Sequence, residues 1–277
     1  MTVASHYDES KIRTNEEYPA NYFRLKLVRR ILADAGVTTL YEHGVGDATP
    51  LITIAGDGIR VAGNDVSPEM VKFARVNMSA QVLDPESINL LDVQSHDSIE
   101  CERTRVGSFD AVMALGAIPH VEDDRWFVSS MDKFLDPGRR LLLQFRNSMF
   151  TFNRLTKEFV MDELLPQVHE GIREIVSADS DQRLAVDKPP KRIRPTGDGY
   201  DEILSKFHNP FKLSEIVKSF GYKVLQFHWH NYHPAYPMLA GSTDPKVYRQ
   251  AQTDLEGDTS WRGMFRCSAG LIQAVKE

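Results

Sequence analysis

Cysteine is scarce in this chain. Its 277 residues contain only Cys101 and Cys267, too few for a disulfide framework and in no spacing that a structural metal site or a redox pair uses. They read as reduced thiols of a cytoplasmic protein. Long apolar runs are also missing. No stretch approaches the ~20 residues that a membrane span needs, and residues 1–13 are polar, without the apolar segment of a secretory signal. No membrane partner is expected. Neither sign of charge dominates: 33 Lys and Arg stand against 39 Asp and Glu, a net charge of −6. That leaves no basic surplus to draw the chain to nucleic acid, and the short basic run at 188–194 reads as a solvated loop. Internal repeats and low-complexity tracts are absent.

What is present is a hydrophobic share of 42%, enough for one sizeable core and an inserted subdomain. Residues 16–35 carry Tyr22, Leu25, Val28, Ile31 and Leu32 at helical spacing. A short strand at 38–41 runs into the turn His43-Gly44-Val45-Gly46-Asp47, after which Thr49 is placed to cap a helix with Pro50 at its first position. A second strand at 60–64 precedes a helix that opens at Ser67-Pro68-Glu69, with Met70, Phe73, Ala74 and Asn77 on one face. A third strand at 87–91 ends at Asp92. The apolar run 109–116 suits a central parallel strand. A helix at 123–135, with Phe127, Met131, Phe134 and Leu135 inward, leads through the turn Asp136-Pro137-Gly138 to a strand at 141–145. Five alternations of strand and helix in about 110 residues predict a parallel sheet with helices on both faces. From 146 to 210 the rhythm stops, and prolines at 189, 190 and 195 mark an insertion. A helix at 212–220 and strands at 222–230 and 264–275 complete the chain. The implied parts are an N-terminal helical cap (1–36), a cofactor-binding core (37–146), an inserted lid (147–210) and the C-terminal remainder of the core sheet (211–277).

Gly44 and Gly46 sit where the first strand hands over to the first helix. There a bare backbone lets a ligand approach, and the helix start offers donors. Three acids accompany them. Glu42 lies two residues before the first glycine. Asp65 ends the second strand, where a carboxylate can accept both hydroxyls of a ribose. Asp92 ends the third, where it can receive an adenine amino group. Consecutive strand ends line one crevice of an open parallel sheet, so the three acids belong together.

At these residues the sequence resembles the class I methyltransferases that use S-adenosylmethionine (SAM). Residues 41–48, Tyr-Glu-His-Gly-Val-Gly-Asp-Ala, are similar to the family's first motif, with Ala48 in place of a third glycine. Residues 61–70, from Val61 to Met70, are similar to its ribose-binding segment. Residues 109–120 resemble its fourth-strand motif, and residues 135–141 the turn before its fifth strand. The resemblance implies a Rossmann-like α/β fold: a seven-stranded mixed sheet, last strand antiparallel, with helices on both faces. It implies SAM as cofactor, held by Glu42, Gly44, Gly46, Asp65, Val66, Met70, Asp92, Val93 and Leu115. Glu42 would serve the methionine amino group, Asp65 the ribose, and Met70, Asp92 and Val93 the adenine. A nucleotide-dependent oxidoreductase is the competing reading. It fits less well, because Thr49 stands where a dinucleotide fingerprint wants a small residue. Glu42 would also oppose a pyrophosphate, whereas SAM is cationic. A fold of this family without catalysis is a third reading.

The acceptor is expected to be a small molecule. The segments after strands five and six, 146–153 and 228–233, are similar to a bacterial subgroup associated with sugar and surface-polysaccharide methylation. O-methylation of a sugar or similar polar metabolite is therefore expected, with N-methylation of a small amine as the alternative. Arg146, Arg154 and the 188–194 run could hold an anionic acceptor. A hydroxyl acceptor needs a base, which histidine supplies near neutral pH. His120 follows strand four, next to the reacting centre, and His208, His230 and His233 are the further candidates. His228, His230 and His233 could instead form a metal site, but no carboxylate pair accompanies them and no metal is assigned. A homo-oligomer is compatible with this reading.

Overall fold

The computed structural model describes residues 20–91, 95–150, 206–234 and 244–277, together with 166, 170 and 174. Much of the expected lid, and Asp92 and Val93, lie outside the described residues. Helix α1 (Ala20–Asp34) buries Leu25, Val28, Ile31 and Leu32, the stripe that its spacing predicts. Then follow β1 (Thr39–His43), α2 (Thr49–Ala55), β2 (Arg60–Asp65), α3 (Pro68–Ala80), β3 (Ile88–Leu90), α4 (His96–Val106), β4 (Phe109–Ala114), α5 (Asp124–Asp132) and β5 (Leu135–Arg146). After the insertion come α6 (Pro210–Lys218), β6 (Tyr222–Tyr232), α7 (Pro245–Leu255), the four-residue α8 (Gly263–Arg266) and β7 (Cys267–Lys276).

The seven strands form one sheet in the order β3-β2-β1-β4-β5-β7-β6. The first five run parallel, and β7 lies antiparallel between β5 and β6. This is the mixed sheet that the resemblance implies. Alternate side chains feed two cores. Leu40, Met113, Leu142 and Leu271 pack under α1, α2 and α3. Tyr41, Val112, Ala114, Leu143 and Ile272 pack under α5 and α6. The carboxyl ends of β1, β2, β4 and β5 therefore open along one edge. Because β7 is antiparallel to both neighbours, β6 ends on that edge too, with His230 opposite Ala269 and Ala269 opposite Arg146.

Several sequence expectations shift. The predicted cap Thr49 is already helical; the residue before it, Ala48, turns the chain at φ 62°. Ala48 thus keeps the backbone conformation that favours glycine while carrying a methyl group, which is strained there. On α3 the buried stripe is Val71, Ala74 and Met78, while Met70 and Phe73 face outward. The predicted turn at 136–138 lies within β5, as an exposed irregular stretch where its pairing with β4 shifts register and Gly138 takes φ 83°. The last strand begins later than expected. Its predicted first residues form α8, where Gly263 lies so close under Trp229 that a Cβ would stand 2.6 Å from the Trp229 Cβ. Helix α7 was not foreseen, although Asp244-Pro245, a cap followed by an N-terminal proline, signals it. No described helix is long and apolar enough to cross a membrane.

Candidate functional site

The site grows from the turn after β1. The N–H groups of Gly44 and Val45 both donate to the Asn64 carbonyl, at 2.9 and 3.0 Å, which folds the turn back onto β2. Gly44 has φ 76°, and a Cβ there would stand 2.6 Å from the Ala117 Cβ. Gly63, inside β2, is as tight: a Cβ would meet Val45 Cγ1 at 2.4 Å and the Glu42 carbonyl oxygen at 2.6 Å. The turn can lie against β2 only because residue 63 has no side chain. Above Gly46 the space is open.

Asp65 closes the ring. Its Oδ2 accepts the Gly46 N–H at 2.9 Å and its Oδ1 accepts the Ser67 N–H at 3.0 Å. Ser67 in turn caps α3 by accepting from the Met70 N–H. One carboxylate thus ties the glycine turn to the start of α3, and each oxygen retains capacity for a second donor.

Two hollows meet over this turn. One, of about 260 Å³, is lined by Gly44, Gly46, Asp65, Leu115, His120 and Phe127, with Val66 at its rim. The other, of about 300 Å³, is lined by Asn21, Arg24, Glu42, Gly46, Asp47 and Thr49. Both share Gly44, Gly46 and Leu115, so they are lobes of one cleft. Glu42 is 1% exposed. Burial pushes its carboxyl well above the usual range, while the Arg24 charge and the Leu115 backbone N–H pull the other way. Among the described residues its Oε2 has no hydrogen-bond partner. Arg24 donates to Gln144 Oε1 at 3.0 Å. The lobe therefore offers a carboxyl oxygen in want of a donor beside a guanidinium. A carboxyl and a guanidinium side by side suit the ammonium and carboxylate of an α-amino acid, the first as hydrogen-bond acceptor and the second as charged donor. The other lobe offers the Asp65 carboxylate beside apolar walls, which suits a ribose with its base. Together they fit SAM.

The four candidate histidines do not converge. His120, on the 3₁₀ turn Ile118–His120 beyond β4, is the one that lines this cleft. His208 is buried at the return of the insertion, in a bridge with Asn147. Its Nε2 lies 3.3 Å from Asp124 Oδ1, which also accepts from Lys206 Nζ at 2.6 Å. Burial would raise the Asp124 carboxyl, but the hydrogen bonds and charges of His208 and Lys206 outweigh it and hold it below the usual range. His233 packs on the Phe150 ring at 4.7 Å, and burial lowers it to about 4. His230 is buried on β6. Burial first, then the charges of Arg24 and His228, lower it to about 3. Both are too weakly basic to take a proton well near neutral pH. Among the described residues no group of three or more His, Cys, Asp or Glu could hold a metal, so His228, His230 and His233 do not assemble one. Met70 stands exposed at the start of α3 and does not line the cleft.

Sequence reasoning missed Arg24 and Gly63. Arg24 sits among apolar α1 positions, and only its fold-back over β1 gives it a role. Gly63 had a visible signal, a glycine inside a strand.

Residues 41–143 match the methyltransferase domain family. The chain is 32% identical over 143 residues to a ubiquinone biosynthesis O-methyltransferase of Xanthomonas oryzae pv. oryzae. It is 30% identical over 141 residues to a protein of the same name from Xanthomonas axonopodis pv. citri. Each match covers 51% of this chain and 54% of the relative, so the chain spans about half the length of the curated relatives it matches. The fold is similar to that of magnesium protoporphyrin IX methyltransferase from Synechocystis PCC 6803 with bound SAH. That likeness has a TM-score of 0.51 and 14% identity, over 94% of this chain and 85% of the other.

Proposed function

We propose that this chain, whose residues 41–143 are a methyltransferase domain on the class I fold, transfers a methyl group from SAM to a hydroxyl of a small molecule. The observation that carries the reading is the unpartnered, buried Glu42 oxygen beside Arg24, at the head of a glycine turn pinned by Asp65. Bound there, SAM would supply a sulfonium methyl. Glu42 and Arg24 would hold its amino-acid end, and Asp65 its ribose hydroxyls. Leu115 and Phe127 would exclude water from the lobe that they line. His120 would accept the acceptor's proton on an imidazole nitrogen, and its place in the cleft supports that role. His208, fixed by Asp124, His230 and His233 then serve as polar structure around the cleft rather than as bases.

Oxygen is favoured as the acceptor atom by the name of the curated relatives, O-methyltransferases at about half coverage. A sugar or similarly polar metabolite remains the proposed acceptor class, resting on the segments after β5 and β6. Calorimetry with SAM and with NAD tests the cofactor, and tight NAD binding with none for SAM would refute it. Incubation with methyl-labelled SAM and a panel of sugars, phenols and small amines tests the acceptor. Label transferred to amines alone would replace O- by N-methylation.

A further inference from the structure

A separate cavity of about 330 Å³ lies between α1, β6 and the C-terminal end of α7. It does not belong to the cleft over the glycine turn. In the strand order β6 is four places from β1, which at ~4.8 Å per strand is about 19 Å. An acceptor small enough for the cleft could not fill both.

The walls of this cavity are chemically uneven. From α1 come Phe23, Lys26, Leu27 and Arg30, a stripe at helical spacing in which Leu27 packs partly against the core while Lys26 and Arg30 are exposed. Among the described residues Arg30 makes no hydrogen bond or ion pair, and Lys26 makes only a cation–π contact with Tyr22. From β6 come His228 and His230. Burial lowers His228, a hydrogen bond to Gln273 opposes this, and the Arg30 charge lowers it further. His230 is 3% exposed, and both its ring nitrogens lack partners. A buried polar atom left unpaired is costly, and such atoms in a native structure call for an explanation. From the end of α7 and the turn after it come Thr253, Thr259, Glu256 and Asp258; Glu256 Oε1 already accepts the Tyr232 N–H at 2.9 Å and Asp258 Oδ1 the Ser260 N–H at 2.8 Å. Among the described residues neither Lys26 nor Arg30 makes an ion pair with those carboxyls, and both ring nitrogens of the buried His230 lack a hydrogen-bonding partner. The cavity thus sets two unpaired cations beside imidazoles and hydroxyl-bearing side chains.

We propose that this cavity is a second ligand site, for a small hydroxylated molecule bearing a carboxylate or a phosphate. The acid group lies against Arg30 and Lys26, and the hydroxyls meet the unpartnered His230 and the threonine side of the cavity. Arg24 stands between this site and the cleft, since its charge acts on both His230 and Glu42. The assignment does not depend on methyl transfer.

The test uses the whole chain and two probes, glycerol 3-phosphate and glycerate, which separate the phosphate from the carboxylate source. Imidazole resonances are followed by long-range proton–nitrogen NMR, with His120 as the internal reference from the other cleft. The expected result is a saturable shift of the His228 and His230 signals by at least one probe. Arg30→Ala should weaken that binding about tenfold, the loss of one charge-assisted contact. Lys223→Ala, the same charge change on an exposed residue of the same strand, should leave it intact. Arg30 is exposed, so its replacement should not unfold the chain. No saturable shift with either probe at millimolar concentration would overturn the assignment. So would equal weakening by Arg30→Ala and Lys223→Ala, which would mark a diffuse charge effect.

Discussion

Gly44→Ala is the sharpest single perturbation of the cleft. Two costs can be separated. The residue holds φ 76°, and placing an L side chain in the left-handed region costs about 1–2 kcal/mol. The added Cβ also lands 2.6 Å from the Ala117 Cβ, and overpacking of this kind costs about 1–3 kcal/mol. Neither partner is a flexible side chain end, so relief requires the backbone to move. The sum is about 2–5 kcal/mol. At roughly 2–4 °C per kcal/mol for chains of this size, the melting temperature should fall by about 4–20 °C. Gly46→Ala is the built-in control. It has φ 55° with nothing within 4 Å of the added Cβ, so only the backbone cost applies. A second control removes the clash and keeps the φ strain: Gly44→Ala combined with Ala117→Gly should recover the overpacking share, giving a favourable coupling of about 1–3 kcal/mol in a double-mutant cycle. Chemical denaturation of the parent, the single variants Gly44→Ala, Gly46→Ala and Ala117→Gly, and the double variant measures stability, and calorimetry with SAM measures the cleft. Equal losses in Gly44→Ala and Gly46→Ala, with no coupling to Ala117, would refute the close approach of the turn to residue 117.

Four further outcomes are expected. Asp65→Ala should weaken SAM by about 1.5–3 kcal/mol in calorimetry. It should also lower the melting temperature, because Asp65 already accepts the Gly46 and Ser67 amides. His120→Ala should reduce turnover by ~10²–10⁴ with SAM affinity nearly unchanged; near-normal turnover on a hydroxyl acceptor would remove His120 as the base. Arg24→Leu should weaken SAM and its demethylated product alike, and equal affinity to the parent chain would remove Arg24 from the amino-acid end. Burial raises Glu256 from its ordinary 4.5 to about 7, against the Tyr232 and Asn231 amides, with Asp258, Tyr232, Cys267 and Arg266 around it. The folded chain thus keeps a proton that the unfolded chain has lost. The contribution to stability is full below pH 4.5 and is lost as pH rises through about 7, up to about 3 kcal/mol in all. Denaturation between pH 5 and 8 should show that slope in the parent chain and a flatter one in Glu256→Gln.

The sequence by itself determined the sheet and the glycine turn. Strand and helix periods alternate locally, and each is fixed by neighbours three or four residues away. For that reason Leu25, Val28, Ile31 and Leu32 were readable as one buried stripe. Gly44, Gly46 and Asp65 were readable because a parallel sheet brings consecutive strand ends to one edge whatever the loops do. Tertiary structure decided what depends on distant segments. Arg24 meets Glu42 and Gln144 only because α1 folds across the sheet. Gly63 matters only because Val45 is laid over it. The sequence singled out His120 by its place after β4 but left the other three open, and their places differ: His120 lines the cleft, His208 is held by Asp124, and His230 and His233 are buried until their basicity is lost. Burial and pairing set what a side chain can do. Both arise from contacts between segments far apart in the chain, such as His208 with Asp124 and Arg24 with Gln144, which no local pattern encodes.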